Sequence, residues 1–302
     1  MSWVIDYDEG GYCYENYWLG REYEHQADLI ALNALMQPEP DGWIADFGSG
    51  FGRLATAYLG TGRPVVLVDY SSGLLGRAKA RLGPPGPNRQ YVAAELSHLP
   101  FRSESVSTSI LVRVMHHLVS FDQVLREVSR VSQGEWILDV PQKLHAAAWV
   151  RALRRRSWRM LCEEAPVNLS RRQGAVFLNY HPKSILRQTD RLGWSIRSAL
   201  SVSNFRLAWL KRWAGTRRLV ALEQVSQRAL ATVRFGPSWW LSLSREGVWP
   251  RISDWRELFA CPACGHALPV IDGGETICQG CGEHFFLHDG IWDFRWPRPT
   301  AR

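Results

Sequence analysis

No stretch of about 18 consecutive apolar residues occurs in this 302-residue chain, so a membrane-spanning helix is not expected. The opening residues, MSWVIDYDEGG, are acidic and lack the apolar core of a secretory leader, so a cytoplasmic protein is expected. Internal repeats and long low-complexity tracts are missing too. Cysteine is scarce: of six, four cluster near the C-terminus, and Cys13 and Cys162 stand alone. Without a leader, a disulfide framework is not expected, and the cluster points to a metal. Acidic residues are scarce in one region. Between Gln142 and Phe235, four of them (Glu163, Glu164, Asp190, Glu223) face 16 Arg and 3 Lys, a net +15. With a total of +7, the rest of the chain carries −8.

What is present describes a globular protein. Hydrophobic residues make up 46% and charged residues 22%, enough for a sizeable core. The length suits one large domain, or a core domain with a small appendage. A basic middle on an acidic body suits an anionic partner such as nucleic acid, a phosphorylated substrate or a lipid surface; solvated helix faces would give the same count. Several of the 15 tryptophans stand among arginines, in WVRALRRRSWR and LAWLKRW. Such interleaving suits stacking on bases or lying at a membrane surface.

Apolar periodicity predicts a helix over 21–36, broken by PEPDG (38–42), and a strand over 43–47. A helix follows over 53–59, a strand over 64–69 (PVVLVD), and a helix from Ser71 or Ser72 that either serine caps. Further strands are expected at 91–94, 106–112 and 135–140, with a helix over 121–131 between the last two. Five strand–helix alternations within about 100 residues mean a parallel sheet with right-handed crossovers and helices on both faces. Ligands on such a sheet bind at the carboxyl ends of the strands. Beyond Pro141 the rhythm breaks. A helix at HPKSILRQTDRLGW, strands at SIRSALSVS and PSWWLSLSRE, and a helix over 209–230 are expected. Basic insertions near 142–182 and 204–234 interrupt the pattern. Residues 247–253 read as a linker, dividing the chain into units 1–250 and 251–302.

The first strand ends in WIADFGSGFGR. Asp46 closes it, and Gly48, Gly50 and Gly52 line the turn into a helix. Glycine lets backbone approach a ligand closely and adopt positive φ, and a helix N-terminus adds N–H donors. A dinucleotide loop needs a small third residue in GxGxxG/A; Arg53 stands there, and the spacing is GxGxG. This pattern resembles motif I of the class I S-adenosylmethionine (SAM)-dependent methyltransferases. Asp69 ends the second strand seventeen residues after Gly52, where the resemblance implies an acid for both ribose hydroxyls. AELSHLPFRSESV (94–106), RVMHHL (113–118) and the segment FDQVLREVSRVSQGEWILDV resemble the following segments of that family, in order. Similarity covers about 22–140 well, extends weakly to about 246, and is closest to the ubiquinone/menaquinone-type branch. The implied fold is a Rossmann-like α/β domain, doubly wound around a seven-stranded, mostly parallel sheet, with a small C-terminal zinc ribbon.

The resemblance implies cofactor contacts from Asp46, Gly48, Gly50, Gly52, Asp69, Tyr70, Glu95, Leu96 and Arg113. Glu95 replaces the usual aspartate. The aromatic N-terminal segment (Tyr12, Tyr14, Tyr17, Trp18) would close over the cofactor, with Arg21 meeting the methionine carboxylate. If the acceptor needs a base, His116 and His117 after the fourth strand, and Tyr180 and His181 next to Asn179, are the candidates. Packing or helix capping by these residues is the alternative.

Cys261-Pro-Ala-Cys264 and Cys278-Gln-Gly-Cys281 are 13 residues apart, a spacing for tetrahedral, structural Zn²⁺. His284 and His288 read as surface residues. The segment LFACPACGHALPVIDGGETICQGCGEHFFLHDGIWDF resembles the zinc ribbon of the methyltransferase-activating subunit that accompanies RNA and protein methyltransferases. This implies stabilising the catalytic domain or contacting substrate. The acceptor is expected to be a small or lipid-like molecule; RNA is the alternative, although no NPPY-like tetrapeptide follows the fourth strand. A non-catalytic nucleic-acid-binding protein is a third reading. No obligate protein partner is inferred.

Overall fold

The computed structural model describes residues 14–37, 42–156, 158–170, 176–247, 251–269 and 274–298. A short helix α1 (Tyr14–Tyr17) and α2 (Glu22–Leu35) precede β1 (Ile44–Phe47). The alternating core follows: α3 (Thr56–Leu59), β2 (Val65–Asp69), α4 (Ser72–Leu82), β3 (Arg89–Ala93), β4 (Val106–Leu111), α5 (Phe121–Val131) and β5 (Ser132–Pro141). β1, β2 and β4 are buried along nearly their whole length, as expected of parallel strands covered on both faces. Ser71 caps α4, its hydroxyl accepting from Leu74 N–H at 2.9 Å.

Past β5 come α6 (Ala146–Arg155), α7 (Arg159–Cys162), the two-residue strands β6 (Val167–Asn168) and β7 (Leu178–Asn179), α8 (Pro182–Arg191), β8 (Ser195–Val202), α9 (Ala208–Ala214), α10 (Thr216–Ala231) and β9 (Ser238–Ser244). One expected helix over 209–230 is two, because Gly215 adopts φ +74° between them, a conformation that ends a helix. β9 runs antiparallel to both β5 and β8, with Ser238 opposite Pro141 and Val202. The seven strands therefore lie in the order β3-β2-β1-β4-β5-β9-β8. β5 and β8 end, and β9 begins, at the edge where β1 ends. The first basic insertion thus leaves β5 at the carboxyl edge and returns beside it at the Gln142–Tyr180 bridge before α8, and the second runs from the end of β8 to the start of β9 at that same edge.

The C-terminal segment continues this sheet. β10 (Glu275–Ile277), β11 (His284–His288) and β12 (Ile291–Asp293) form an antiparallel trio, and β12 pairs in parallel with β3, making ten strands. Phe294 N–H donates to Ala93 O at 2.8 Å, and Ala260 N–H to Pro100 O at 3.1 Å. Phe101 stacks on Phe259 with centroids 5.6 Å apart, Phe259 meets Phe294 at 5.0 Å, and Phe294 meets Phe285 at 5.2 Å. All four rings are buried, so one hydrophobic core spans both segments. Among the described residues, no helix is long and apolar enough to cross a membrane.

Candidate active site and metal centre

The turn after β1 is clipped onto β2. Gly48 and Ser49 N–H groups donate to Val68 O at 2.8 and 3.0 Å. Gly48, Gly50 and Gly52 have φ of +77°, +55° and +70°. A Cβ on Gly48 would lie 2.2 Å from Val114 Cγ2, so a side chain here would collide with the loop after β4. The two loops that rim the carboxyl edge are thereby in contact.

Asp69 stands at the end of β2 beside this turn. Its Oδ2 accepts from Gly50 N–H at 2.8 Å and its Oδ1 from Ser71 N–H at 3.0 Å. A carboxylate in this position suits a vicinal diol, because it can accept from two hydroxyls. The Ser49 hydroxyl is buried within the turn with no hydrogen-bond partner among the described residues, a group that a bound polar ligand would satisfy. Bare backbone, an unsatisfied hydroxyl and a positioned carboxylate fit an adenosyl cofactor.

Asp46 is buried beneath the turn and accepts from Tyr58 OH at 2.7 Å. Burial raises its carboxyl pKa to about 6 against the pull of that hydrogen bond. Asp28, on α2, was not singled out by sequence reasoning. Fully buried, it accepts from Arg53 Nη2 at 2.8 Å and from Arg113 Nε at 3.2 Å. Burial pushes its pKa upward, but the two guanidiniums outweigh this and hold it below the ordinary value. Arg113 adopts φ +62°, rare for a side chain with a Cβ. Its N–H donates to Asp139 Oδ2 at 3.2 Å, so it bridges α2, β4 and β5. The only sequence signal for Asp28 is a charged residue on the apolar face of α2.

Arg21 lies over the Tyr17 ring at 4.0 Å, and Arg53 over the Trp18 ring at 3.6 Å. The N-terminal segment thus reaches the glycine turn through Arg53. Tyr12 lies outside the described residues, as does the Tyr14 side chain. On the other side, Glu95 is nearly buried and accepts from Ser97 Oγ at 2.6 Å, and Leu96 packs against the core. Arg295 lies 5.6 Å over the Tyr70 ring, and Trp296 meets His98 edge-on at 5.0 Å. The C-terminal residues Arg295 and Trp296 therefore pack against the segments that follow β2 and β3.

Of the base candidates, His116 and His117 have ring centroids 3.9 Å apart, and Phe177 covers His116 at 4.6 Å. Burial depresses both, His116 with help from His117 and Arg113, and His117 to about 4. Both are neutral at pH 7. The Tyr180 hydroxyl is buried against the carbonyls of Met115, at 2.9 Å, and Leu118, to which it donates. His181 caps α8, its Nδ1 accepting from Lys183 N–H at 3.2 Å. Asn179 Nδ2 donates to Gln142 O at 3.1 Å. The structure thus brings His116, His117 and Tyr180 together, with His181 turned to its helix.

The four cysteines converge, every sulfur lying within 4.8 Å of the others. Sγ–Sγ is 3.6 Å for Cys261–Cys281 and 3.5 Å for Cys264–Cys278; about 3.8 Å is expected from a tetrahedron with Zn–S near 2.3 Å. The two knuckles match: Gly265 N–H donates to Cys261 O and Gly282 N–H to Cys278 O, each at 2.8 Å, with φ of +76° and +77°. His284 is exposed and its Nδ1 pairs with Glu275 at 2.6 Å; neither it nor His288 joins the sulfur cluster. The donor set fits zinc, and four sulfurs leave no open coordination position.

Residues 45–135 match the methyltransferase domain family. The matched methyltransferase domain runs from β1 into β5 and contains the glycine turn, Asp69, Glu95 and the two histidines. A curated relative, described as the uncharacterized methyltransferase YodH of Bacillus subtilis (strain 168), is 40% identical over 121 residues, 38% of this chain. The match spans half the length of that relative. Among solved structures, one from Listeria monocytogenes, described provisionally as an S-adenosylmethionine-dependent methyltransferase, aligns with TM-score 0.53 at 15% identity, over 75% of this chain and 100% of its own. A chain from the complex between the Haloferax volcanii Trm112 methyltransferase activator and a protein provisionally called a methyltransferase aligns with TM-score 0.51 at 14% identity, over 77% and 94%. These alignments show that the chain shares the α/β fold of those structures.

Proposed function

We propose that the chain transfers a methyl group from S-adenosylmethionine to a small or lipid-like acceptor, with residues 251–302 forming a structural zinc ribbon on the methyltransferase unit 1–250. The observation that carries this reading is the Asp69 carboxylate, held at the end of β2 by Gly50 and Ser71 N–H groups beside a turn of positive-φ glycines. We assign Asp69 to the ribose hydroxyls, the Gly48–Gly52 turn and Ser49 to the adenosyl and methionine moieties, and Tyr70, Glu95 and Leu96 to the adenine. Arg21, Asp46 and Arg113 border the methionine end.

The sulfonium supplies an already activated methyl group, so the chain's own work is orientation and exclusion of water. Arg113, pinned between Asp28 and Asp139, fixes the loop after β4. Tyr180, by binding the carbonyls of Met115 and Leu118, holds that loop in place. His116 and His117 face the acceptor side as neutral imidazoles. A pKa near 4 makes His117 a weak base at pH 7, and we assign both histidines to orienting the acceptor by hydrogen bonding.

The test is binding of S-adenosylmethionine by calorimetry, wild type against Asp69→Ala. Loss of charge-assisted hydrogen bonds is expected to weaken binding by about 1–3 kcal/mol, and unchanged affinity rejects the assignment. Labelled cofactor incubated with fractionated cell extract identifies the acceptor. Label in an organic-soluble pool supports the reading, and label in RNA replaces it.

A further inference from the structure

Both basic insertions open at the carboxyl edge, the edge that holds the glycine turn, and they meet there. Ala146 N–H, at the start of α6, donates to Phe235 O at 3.1 Å, and Phe205, just before α9, lies 6.5 Å from the Phe235 ring. What they show to solvent is apolar as well as basic. On α6, Ala148 and Ala152 pack inward, while Trp149, Val150 and Leu153 are about half exposed or more. α9 has no buried residue at all. Its Trp209 and Trp213 share one face at i, i+4 and are 60% and 81% exposed, and Leu207 precedes them at 51%. The same two helices and their ends carry Arg151, Arg154, Arg156 and Arg212, within the segment of net +15, while Lys211 is paired with Glu24 at 3.1 Å.

Indole faces with arginine suit either nucleic-acid bases or a lipid interface. The aliphatic residues decide between them. Val150, Leu153 and Leu207 offer no flat face to a base, whereas burial below lipid headgroups removes their surface from water. Surrounding cations complement anionic headgroups.

We propose that α6 and α9 are an interfacial anchor that docks the carboxyl edge of the sheet on an anionic bilayer. The occupant is a membrane surface, and the anchor delivers the methyl-transfer cleft to acceptors dissolved in it. This inference rests on the lipid-like acceptor proposed above, but its test is separate. The full chain, zinc-loaded, is floated with vesicles of phosphatidylglycerol and phosphatidylcholine, and with phosphatidylcholine alone. Binding is expected on the anionic vesicles only, falling as salt rises. The double variant Trp209→Ala/Trp213→Ala is expected to weaken it about tenfold while leaving circular dichroism and S-adenosylmethionine affinity unchanged. Lack of binding to anionic vesicles, binding indifferent to the double variant, or a tryptophan-dependent preference for an RNA oligonucleotide overturns the anchor. Cofactor binding without vesicle binding sinks the anchor alone. Vesicle binding without cofactor binding sinks the methyl-transfer reading and leaves the anchor standing.

Discussion

The two flanks of the sheet treat their apolar side chains in opposite ways. On the β3 flank, Phe101, Phe259, Phe285, Phe294 and Trp292 are all buried, and the seam is closed by strand pairing between β12 and β3. On the β8 flank, Trp149, Trp209 and Trp213 point into solvent from insertions that contribute little to the main core. The C-terminal segment carries the four-cysteine cluster in a stretch too small to build a core of its own, and its β12 pairs on the edge strand β3. The insertions instead carry a net positive charge beside their exposed rings. Aromatic content alone therefore says little about a segment's role. What separates the flanks is whether the rings have partners in the chain.

Removing the proposed zinc should give the sharpest break. With a chelator, or in Cys278→Ser, the knuckles lose their centre and the aromatic seam loses its outer half. A loss of about 5 kcal/mol or more, or roughly 10–20 °C in melting temperature, is expected in thermal denaturation. A melting temperature that ignores the chelator would show that the seam holds without metal, and the contrast between the flanks would weaken.

Acid should act on the loop after β4 and on the start of the first basic insertion. Folded His117 stays neutral down to about pH 4, because burial opposes its charging, and His145 at the start of α6 is lowered to about 4 by burial and nearby Arg151. In the unfolded chain each titrates near 6.5. Between those values the unfolded state binds more protons, so stability falls as pH falls through the window. Asp46, raised to about 6 by burial, acts oppositely: its folded state holds the extra proton between about 3.8 and 6, and it gains stability on acidification. For His117 alone about 2 kcal/mol should be lost between pH 7 and pH 5. Urea unfolding of wild type against His117→Phe checks this: the variant should flatten the slope, and parallel slopes would remove His117 from the account.

Much of the fold could be read from the chain because its strands are continuous β-branched and apolar runs (PVVLVD, EWILDV) bounded by glycine, proline or an acid. Positive-φ glycines and paired CxxC knuckles were legible for a similar reason, since each is a local demand with few residue solutions. The pairing of β12 with β3 was not, because Ile291–Asp293 is three residues long and its partner lies about 200 residues away. Nor was Asp28, whose place between Arg53 and Arg113 is set by how α2 packs. The break at Gly215 was hidden by good helix formers on both sides. The Tyr180 hydroxyl, bound to two carbonyls, belongs to a contact that no motif records.

The smallest expected effect makes the contrast quantitative. Trp213 is 81% exposed on a helix with no buried residue, so Trp213→Ala should change folding stability by no more than about 0.5 kcal/mol. Phe259, buried in the seam between Phe101 and Phe294, should cost about 3–5 kcal/mol on truncation to alanine, through lost transfer and the cavity left behind. The two variants remove rings of similar kind, so the ratio of their unfolding free energies in urea reports where each ring's partner lies. A Trp213→Ala cost approaching that of Phe259→Ala would mean that α9 packs on the chain in solution, and the tryptophans would no longer be free for a surface outside it.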